Sequence, residues 1–542
     1  MRKANTYFLK DIRVLVVDNS STALQLIKQQ LISLGVKYEK IVTVERYQNA
    51  IKAVETHQFN VIIIDYHLDQ YLTGYELAML LYRNRLISQT TGVLMISGDA
   101  RQETVLTALS GKVRHFITKP LSNDKLAAKL FTIHSETQKL QQIAQAIQAG
   151  HPVSAASLFE LINRSGFSVS LEAFLLEHWM SQNNWALVDM YITLSSTQAH
   201  PAKMCAVAHL LHRDNNTLQA IEELHQFLTE NPLSIRVMDT LSQLYAESDQ
   251  LINAAYWATK AFELTPSIGE RASKASQLNA SANKRNALLK IGHTYAQHMS
   301  LVDVNWLKSV IQHFHSLVHV FPLTESLSAK TEILQHANKF VYIASRKLTK
   351  KRKKQLDALH QLFQSHILID QTNDSLAHSK LMQSIANFYD ELFECPLILL
   401  MEYLPALELF GEQEIRNTLV RVLNARGANF QQLGRCKQAT LLHRVNSSNL
   451  WETNTDLAKN EALLEHYPYS SEAKIQYLHN YNEKTNTGKT KPRNNKKMNR
   501  IITELMTLDL PPNWKNWVIT GRENNFSVIP PSAFSLSTFN RI

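Results

Sequence analysis

Glycine and proline are both scarce in this chain of 542 residues, with 14 of each, against average levels of roughly 7% and 5%. A turn-rich all-β architecture is hard to build without them, so a helix-dominated protein is expected. Cysteine is rarer still. Cys205, Cys395 and Cys436 lie far apart, with no CxxC pair and no histidines at zinc-ligand spacing. A disulfide scaffold and a zinc ribbon are thereby disfavoured, and buried free thiols in a reducing compartment are expected. No apolar run reaches the ~18 residues that would suggest a membrane span, so membrane insertion is not expected. The opening MRKANTYFLKDIRVLVVD carries no apolar block followed by small residues, which argues against export and for a cytoplasmic location. Neither GxxxxGK[ST] nor GxGxxG nor a metal-hydrolase pattern occurs, so a catalytic output is not expected.

What is present begins with charge. The net charge of +10 comes from 57 basic and 47 acidic residues, a balance that invites a nucleic-acid reading. It is local, however. Residues 346–354, RKLTKKRKK, hold seven basic side chains, and residues 484–500, KTNTGKTKPRNNKKMNR, hold seven more. Without these two runs the balance is 43 basic against 47 acidic. Neither run is interleaved with aromatic residues, as a single-strand stacking platform would be. A solvated face accounts for both, and nucleic acid is not expected as a partner.

Length implies more than one domain, since single cores stop growing well short of this size. Residues 1–135 alternate short β-rich runs with amphipathic stretches, which predicts a parallel sheet covered by helices on both faces. RVLVV (13–17), KIVTV (40–44), VIIID (61–65), GVLMI (92–96) and HFIT (115–118) are the strands. Helices are expected near 22–34, 47–57, 74–84 and 101–109, with a fifth starting near Ser122 and running into the next domain. Residues 136–480 read as helices joined by short polar turns. The Asn- and Lys-rich block 481–500 is expected to be a flexible loop, and 501–542 a short helix with an irregular tail.

Within the helical region a period of 34 residues recurs. Pro232 and Pro266, Leu211 and Tyr245, and Ala220 and Ala254 are each separated by it. Small alanines where two helices approach, with bulky residues facing the neighbouring hairpin, are the physical content of such a pattern. This segment resembles tetratricopeptide repeats, most clearly over 201–266 and partially over 285–322 and 419–446. The stretch SIGERASKASQLNASANKR is expected to be a surface loop inserted before a first repeat helix that carries Ile291 and Tyr295. His293, His298, His313, His315 and His319 lack a partnering pattern of acids and read as solvated or partly buried imidazoles.

The chemistry sits at the carboxyl ends of the strands, where open α/β sheets place their sites. Asp18 and Asn19 follow the first strand, Asp65 ends the third, Ser97 follows the fourth, and Lys119-Pro120 follows the fifth. Phosphorylating a carboxylate needs an attacking oxygen, a divalent cation and donors for the phosphoryl oxygens. Asp65 supplies the first. Asp18, Asn19, Asp65 and the backbone carbonyl of His67 would hold Mg2+, and Lys119 and Ser97 would bind phosphoryl oxygens.

Through VLVVDNSSTA, VIIIDYHLDQYLTGYEL, VLMISGDA and HFITKPL, residues 11 to about 135 resemble the receiver domains of two-component response regulators. The resemblance implies a doubly wound, flavodoxin-like α/β fold followed here by an all-α superhelix. It further implies a cis peptide before Pro120 and a switch in which Ser97 moves toward the phosphoryl group while Phe116 turns inward. The surface of the fourth helix, fourth and fifth strands and fifth helix is then expected to change with phosphorylation. Two features depart from the pattern. Asn19 replaces one of the usual paired acids, and the loop after Asp65 carries an apparent extra residue and no early proline. The function expected is that of a response regulator phosphorylated on Asp65 by a histidine kinase or phosphotransfer protein. It would act by protein binding through the helical repeats, as an adaptor in a phosphorelay. A DNA-binding transcriptional regulator and a degenerate, phosphorylation-independent scaffold are the alternatives.

Overall fold

The computed structural model of the chain describes residues 6–68, 72–88, 90–98, 115–148, 169–300, 302–427, 457–486, 495–523 and 526–534. These fall into two compact units, Met1–His313 and Phe314–Ile542.

The first unit opens with five strands, β1 (Val14–Val17), β2 (Ile41–Val44), β3 (Val61–Asp65), β4 (Gly92–Ser97) and β5 (His115–Thr118). They form one parallel sheet in the order β2-β1-β3-β4-β5. Runs of Val and Ile suit it because both faces are covered. Val14, Val16, Ile63 and Leu94 point to one side, under helix α1 (Ser21–Ser33) and helix α4 (Asn123–Gln148). Leu15, Val17, Ile62 and Ile64 point to the other, under α2 (Tyr47–Thr56) and α3 (Gly74–Arg83). The doubly wound fold expected from the sequence is therefore present. The helix expected near 101–109 lies outside the described residues.

Helix α4 is 26 residues long, and its far end leaves the sheet behind. Leu140 and Ile143 pack with Leu171, Leu175, Leu176 and Trp179 of the first hairpin beyond it. Among the described residues four helical hairpins follow: α5 (Val169–Ser181) with α6 (Trp185–Leu194), α7 (Pro201–Arg213) with α8 (Thr217–Glu230), α9 (Ile235–Glu247) with α10 (Leu251–Leu264), and α11 (Gly269–Ser281) with α12 (Arg285–His298). Each turns on a residue with positive φ, namely Asn183, Asn215, Asp249 and Asn283. Asn and Asp tolerate that conformation better than other residues with side chains. The last three stand at the 34-residue period.

This arrangement corrects one expectation. The segment read as a surface loop contains helix α11, and Ile291 and Tyr295 lie on the second helix of its hairpin. Helix α11 shows no apolar stripe because its buried positions are small or polar. Ala272, Ala275, Ser276, Asn279 and Ala280 all lose their solvent exposure there.

In the second unit, α14 (Leu327–Ser345), α15 (Lys350–Asp370), α16 (Asp374–Ala386), α17 (Leu397–Phe410) and α18 (Gln413–Ala425) follow helix α13 (Trp306–Leu323), which contains the division between units. Beyond the undescribed residues come α19 (Leu457–His466), α20 (Ser471–Asn486), α21 (Asn495–Thr507) and α22 (Pro512–Gly521). The block 481–500 was expected to be a loop, yet it is helical over 481–486 and again over 495–500. The N-terminal half of α21 is polar, but Ile501 and Leu505 further along are buried and anchor it. The end of the described chain is held to α22, with Trp514 Nε1 donating to Pro531 O at 3.1 Å and Trp517 Nε1 to Val528 O at 2.9 Å. Most of the segment 419–446 lies outside the described residues.

Candidate functional site

The strand order turns back on itself between β1 and β3, which opens a crevice at their carboxyl ends. Asp18 follows β1 and is fully buried, and Asp65 ends β3 with 5% of its surface exposed. Burying two carboxylates side by side requires a counter-charge. Lys119, after β5, provides it with its Nζ 2.9 Å from Asp18 Oδ2 and 2.7 Å from Asp65 Oδ1. Burial alone would lower the Lys119 pKa. Its hydrogen bonds and charge attraction to Asp65 and Asp18 outweigh that and hold it above the ordinary lysine value.

Local backbone structure aims each group. Asp18 Oδ1 accepts from Ser20 N at 2.9 Å, and Ser20 is also the N-cap of α1, its Oγ accepting from Ala23 N at 3.3 Å. The start of α1 thus fixes the Asp18 rotamer. Asp65 Oδ2 accepts from His67 N at 3.0 Å. Lys119 N donates to Ser97 O at 2.7 Å, tying the ends of β4 and β5 together, and the Lys119-Pro120 peptide is cis. Ser97 is fully buried at the end of β4, Phe116 is half-buried on β5, and Asn19 is exposed beside Asp18. The structure thus joins Asp18, Asp65 and Lys119 directly and places His67, Ser97 and Asn19 at neighbouring strand ends. Asp69, Gln70 and Tyr71 of the unusual loop lie outside the described residues.

The two carboxylates that converge on Lys119 Nζ are hard-oxygen donors of the kind that fits Mg2+. They are a sparse set. Among the described residues no group of three or more His, Cys, Asp or Glu side chains comes together.

Sequence reasoning missed Gly74 and Glu76, the first and third residues of α3. Gly74 N donates to Tyr66 O at 2.8 Å. A side chain at Gly74 would collide with the Asp65 carbonyl oxygen and come within 2.8 Å of Ile64 Cγ2, so glycine is needed for α3 to press against the strand end. Glu76 completes a capping box with Thr73. The Thr-Gly-Tyr-Glu order was available as a capping signal.

The other sequence candidates carry no second site. His313 Nδ1 and Ser276 Oγ are 2.8 Å apart and buried, and His298 Nδ1 is 2.8 Å from Thr294 O. His315 is paired with Glu402 at 2.8 Å. In the basic run, Lys351 meets Glu394 at 3.0 Å and Lys354 meets Glu391 at 2.8 Å. Among the described residues no helix is long and apolar enough to cross a membrane.

Residues 14–131 match the family model for the response regulator receiver domain. Over 120 residues, 22% of this chain and 94% of the relative, the chain is 28% identical to the chemotaxis protein CheY1 of Helicobacter pylori, and CheY1 of a second strain matches to the same extent. No solved structure matches the chain. Sheet order, pocket and family model agree that the N-terminal domain is a response regulator receiver, here followed by a helical region of tandem hairpins.

Proposed function

We propose that the protein is a phosphorylation-controlled response regulator that accepts a phosphoryl group on Asp65 and acts by binding another protein through its helical hairpins. The observation that carries this reading is the convergence of Asp18, Asp65 and Lys119 at the carboxyl ends of three parallel strands. In the transfer, an Asp65 carboxylate oxygen attacks phosphorus, the new O–P bond forms, and the bond from phosphorus to the donor's leaving atom breaks. The donor would be a phosphohistidine of a histidine kinase or phosphotransfer protein. Lys119 then exchanges its contact with Asp65 Oδ1 for one with a phosphoryl oxygen, and the Ser97 hydroxyl supplies a second donor. Mg2+ held by Asp18, Asp65, Asn19 and the His67 carbonyl would offset the charge of the incoming group. Phe116, three residues before Lys119 on β5, would report the change by turning inward as Ser97 moves toward the phosphoryl group.

Protein binding as output is supported by the stack of hairpins, which offers extended surface. It is further supported by the pairing of Lys351 and Lys354 with glutamates, which leaves that run less free charge for nucleic acid. An adaptor or accessory role in a phosphorelay fits such a layout. A phosphorylation-independent scaffold is the second reading, and the observation favouring it is the replacement of an acid by Asn19.

The full chain, incubated with Mg2+ and acetyl phosphate, is expected to gain one phosphoryl group by intact mass, and Asp65→Asn is expected to gain none. Partners co-purified with each would then differ. An unmodified wild-type chain at saturating donor would overturn the phosphoacceptor reading and leave the scaffold.

A further inference from the structure

Among the described residues helix α3 is unlike helices α1 and α2, which also cover the sheet. In α1 only Leu24, Ile27 and Leu31 are buried, and in α2 only Ala50 and Val54, the single stripe of a surface helix. In α3 every residue from Gly74 to Tyr82 is buried. One side faces the sheet, and the other is covered by the helical hairpins of the same unit. Leu72, Tyr75 and Met79 belong to one apolar cluster with Met238, Ile268 and Val302.

Polar contacts fix this docking along the length of α3. At its start, Glu76 Oε2 accepts from Thr73 N and Thr73 Oγ1, each at 3.0 Å, while Glu76 Oε1 accepts from Ser267 N at 3.1 Å. Its end is held by Arg83 Nη1, 2.5 Å from Glu270 Oε2, and Asn84 Nδ2 donates to Val302 O. Ser267 and Glu270 flank the start of α11. The same helix start rests on the phosphoacceptor, since Gly74 N donates to Tyr66 O at 2.8 Å and Gly74 packs on the Asp65 carbonyl.

From this geometry we infer that α3 is a clamp in cis, holding the α11 hairpin against the receiver and released by phosphorylation of Asp65. The inference rests on the phosphoacceptor reading of Asp65. A phosphoryl group on Asp65 needs room and donors where His67 N and Lys119 now meet the bare carboxylate. To admit the group His67 N must release Asp65 Oδ2, and Tyr66 beside it, whose carbonyl takes Gly74 N, then draws on the helix start that carries the Thr73–Glu76 capping box. Glu76 cannot follow Thr73 and also keep Ser267 N, so of the contacts between receiver and repeat this one is the first at risk. The surface uncovered, Leu72, Tyr75 and Met79 on one side and Met238, Ile268 and Val302 on the other, is apolar and would take an apolar helix face of the output partner.

The test is hydrogen exchange on the full chain, reading residues 74–84 and 265–272. In the ligand-free protein, Arg83→Glu sets two carboxylates against each other and is expected to speed exchange in both segments by about tenfold. Adding Glu270→Arg to it is expected to restore protection. Unchanged exchange in Arg83→Glu, or no rescue in the double variant, would overturn the clamp. Beryllofluoride with Mg2+ then mimics the phosphoryl group, its binding read independently by 19F NMR. Bound fluoride with faster exchange in both segments supports release, and bound fluoride with unchanged or slower exchange overturns it. Absence of a bound fluoride signal in wild type would defeat the phosphoacceptor reading and the regulation built on it, while the charge swap still decides the clamp.

Discussion

Lys119 Nζ lies 2.7 Å from Asp65 Oδ1, so the carboxylate that would attack phosphorus is already neutralised by the lysine that would bind a phosphoryl oxygen. Removing the lysine leaves two buried carboxylates facing each other without a cation. Lys119→Ala should slow phosphorylation from acetyl phosphate by roughly ten- to hundredfold, the worth of one charged hydrogen bond of about 1.5–3 kcal/mol. Intact mass over time measures it, and a wild-type rate in the variant would remove Lys119 from the mechanism.

Asn19 supplies the second prediction. Affinity for a hard cation rises with the number of ligand charges, so Asn19→Asp should tighten Mg2+ by about tenfold. Calorimetric titration of wild type and variant gives the answer. Equal affinities would mean that Asn19, exposed as it is, takes no part in holding the ion.

Gly74 is a steric requirement rather than a conformational one. Gly74→Ala places a methyl group against the Asp65 carbonyl and Ile64 Cγ2 and is expected to cost about 1–3 kcal/mol, as overpacking does. It should also displace Asp65 and reduce phosphorylation. Urea unfolding read beside phosphorylation yield tests both, and an unaltered midpoint would show that α3 does not press on the strand end.

The second unit carries a pH signature. Glu472 is pushed up to about 8, chiefly by burial and then by the carboxylates of Glu412 and Glu414, against the backbone N–H groups of Glu414 and Gln413. Glu414 N donates to its Oε2 at 2.8 Å. Below the ordinary glutamate value both folded and unfolded chains hold the proton. Between about 4.5 and 8 only the folded chain does, so stability falls as pH rises across that window and levels off above it. The loss is on the order of 5 kcal/mol at most. Melting curves of wild type against Glu472→Gln from pH 5 to 8 should show the wild type losing ground steadily, and parallel curves would refute the assignment.

Much of the receiver was legible because its information is local. Apolar β-branched runs end in Asp18, Asp65, Ser97 and Lys119, and a parallel sheet brings such ends together whatever lies around them. The hairpins were half legible. Where alanines alternate with bulky residues, as in α9 and α10, the period of 34 could be read. In α11 the buried face is Ala, Ser and Asn, so the apolar pattern that marks a helix was missing and the segment looked like a loop. The positive-φ residues Asn215, Asp249 and Asn283 carried the same period and were the better signal, since turn geometry constrains them independently of the core.

The sequence by itself determined the sheet and the strand ends at which Asp18, Asp65 and Lys119 meet, because each depends on residues within a few positions of a strand end. Tertiary structure alone decided what α3 does. Its apolar run GYELAMLLY is compatible with burial on one face or on all faces, and nothing in residues 74–82 says which. Only the fold brings Ser267 N to Glu76, across 191 residues of chain, and closes the second face with a surface that the local pattern does not encode.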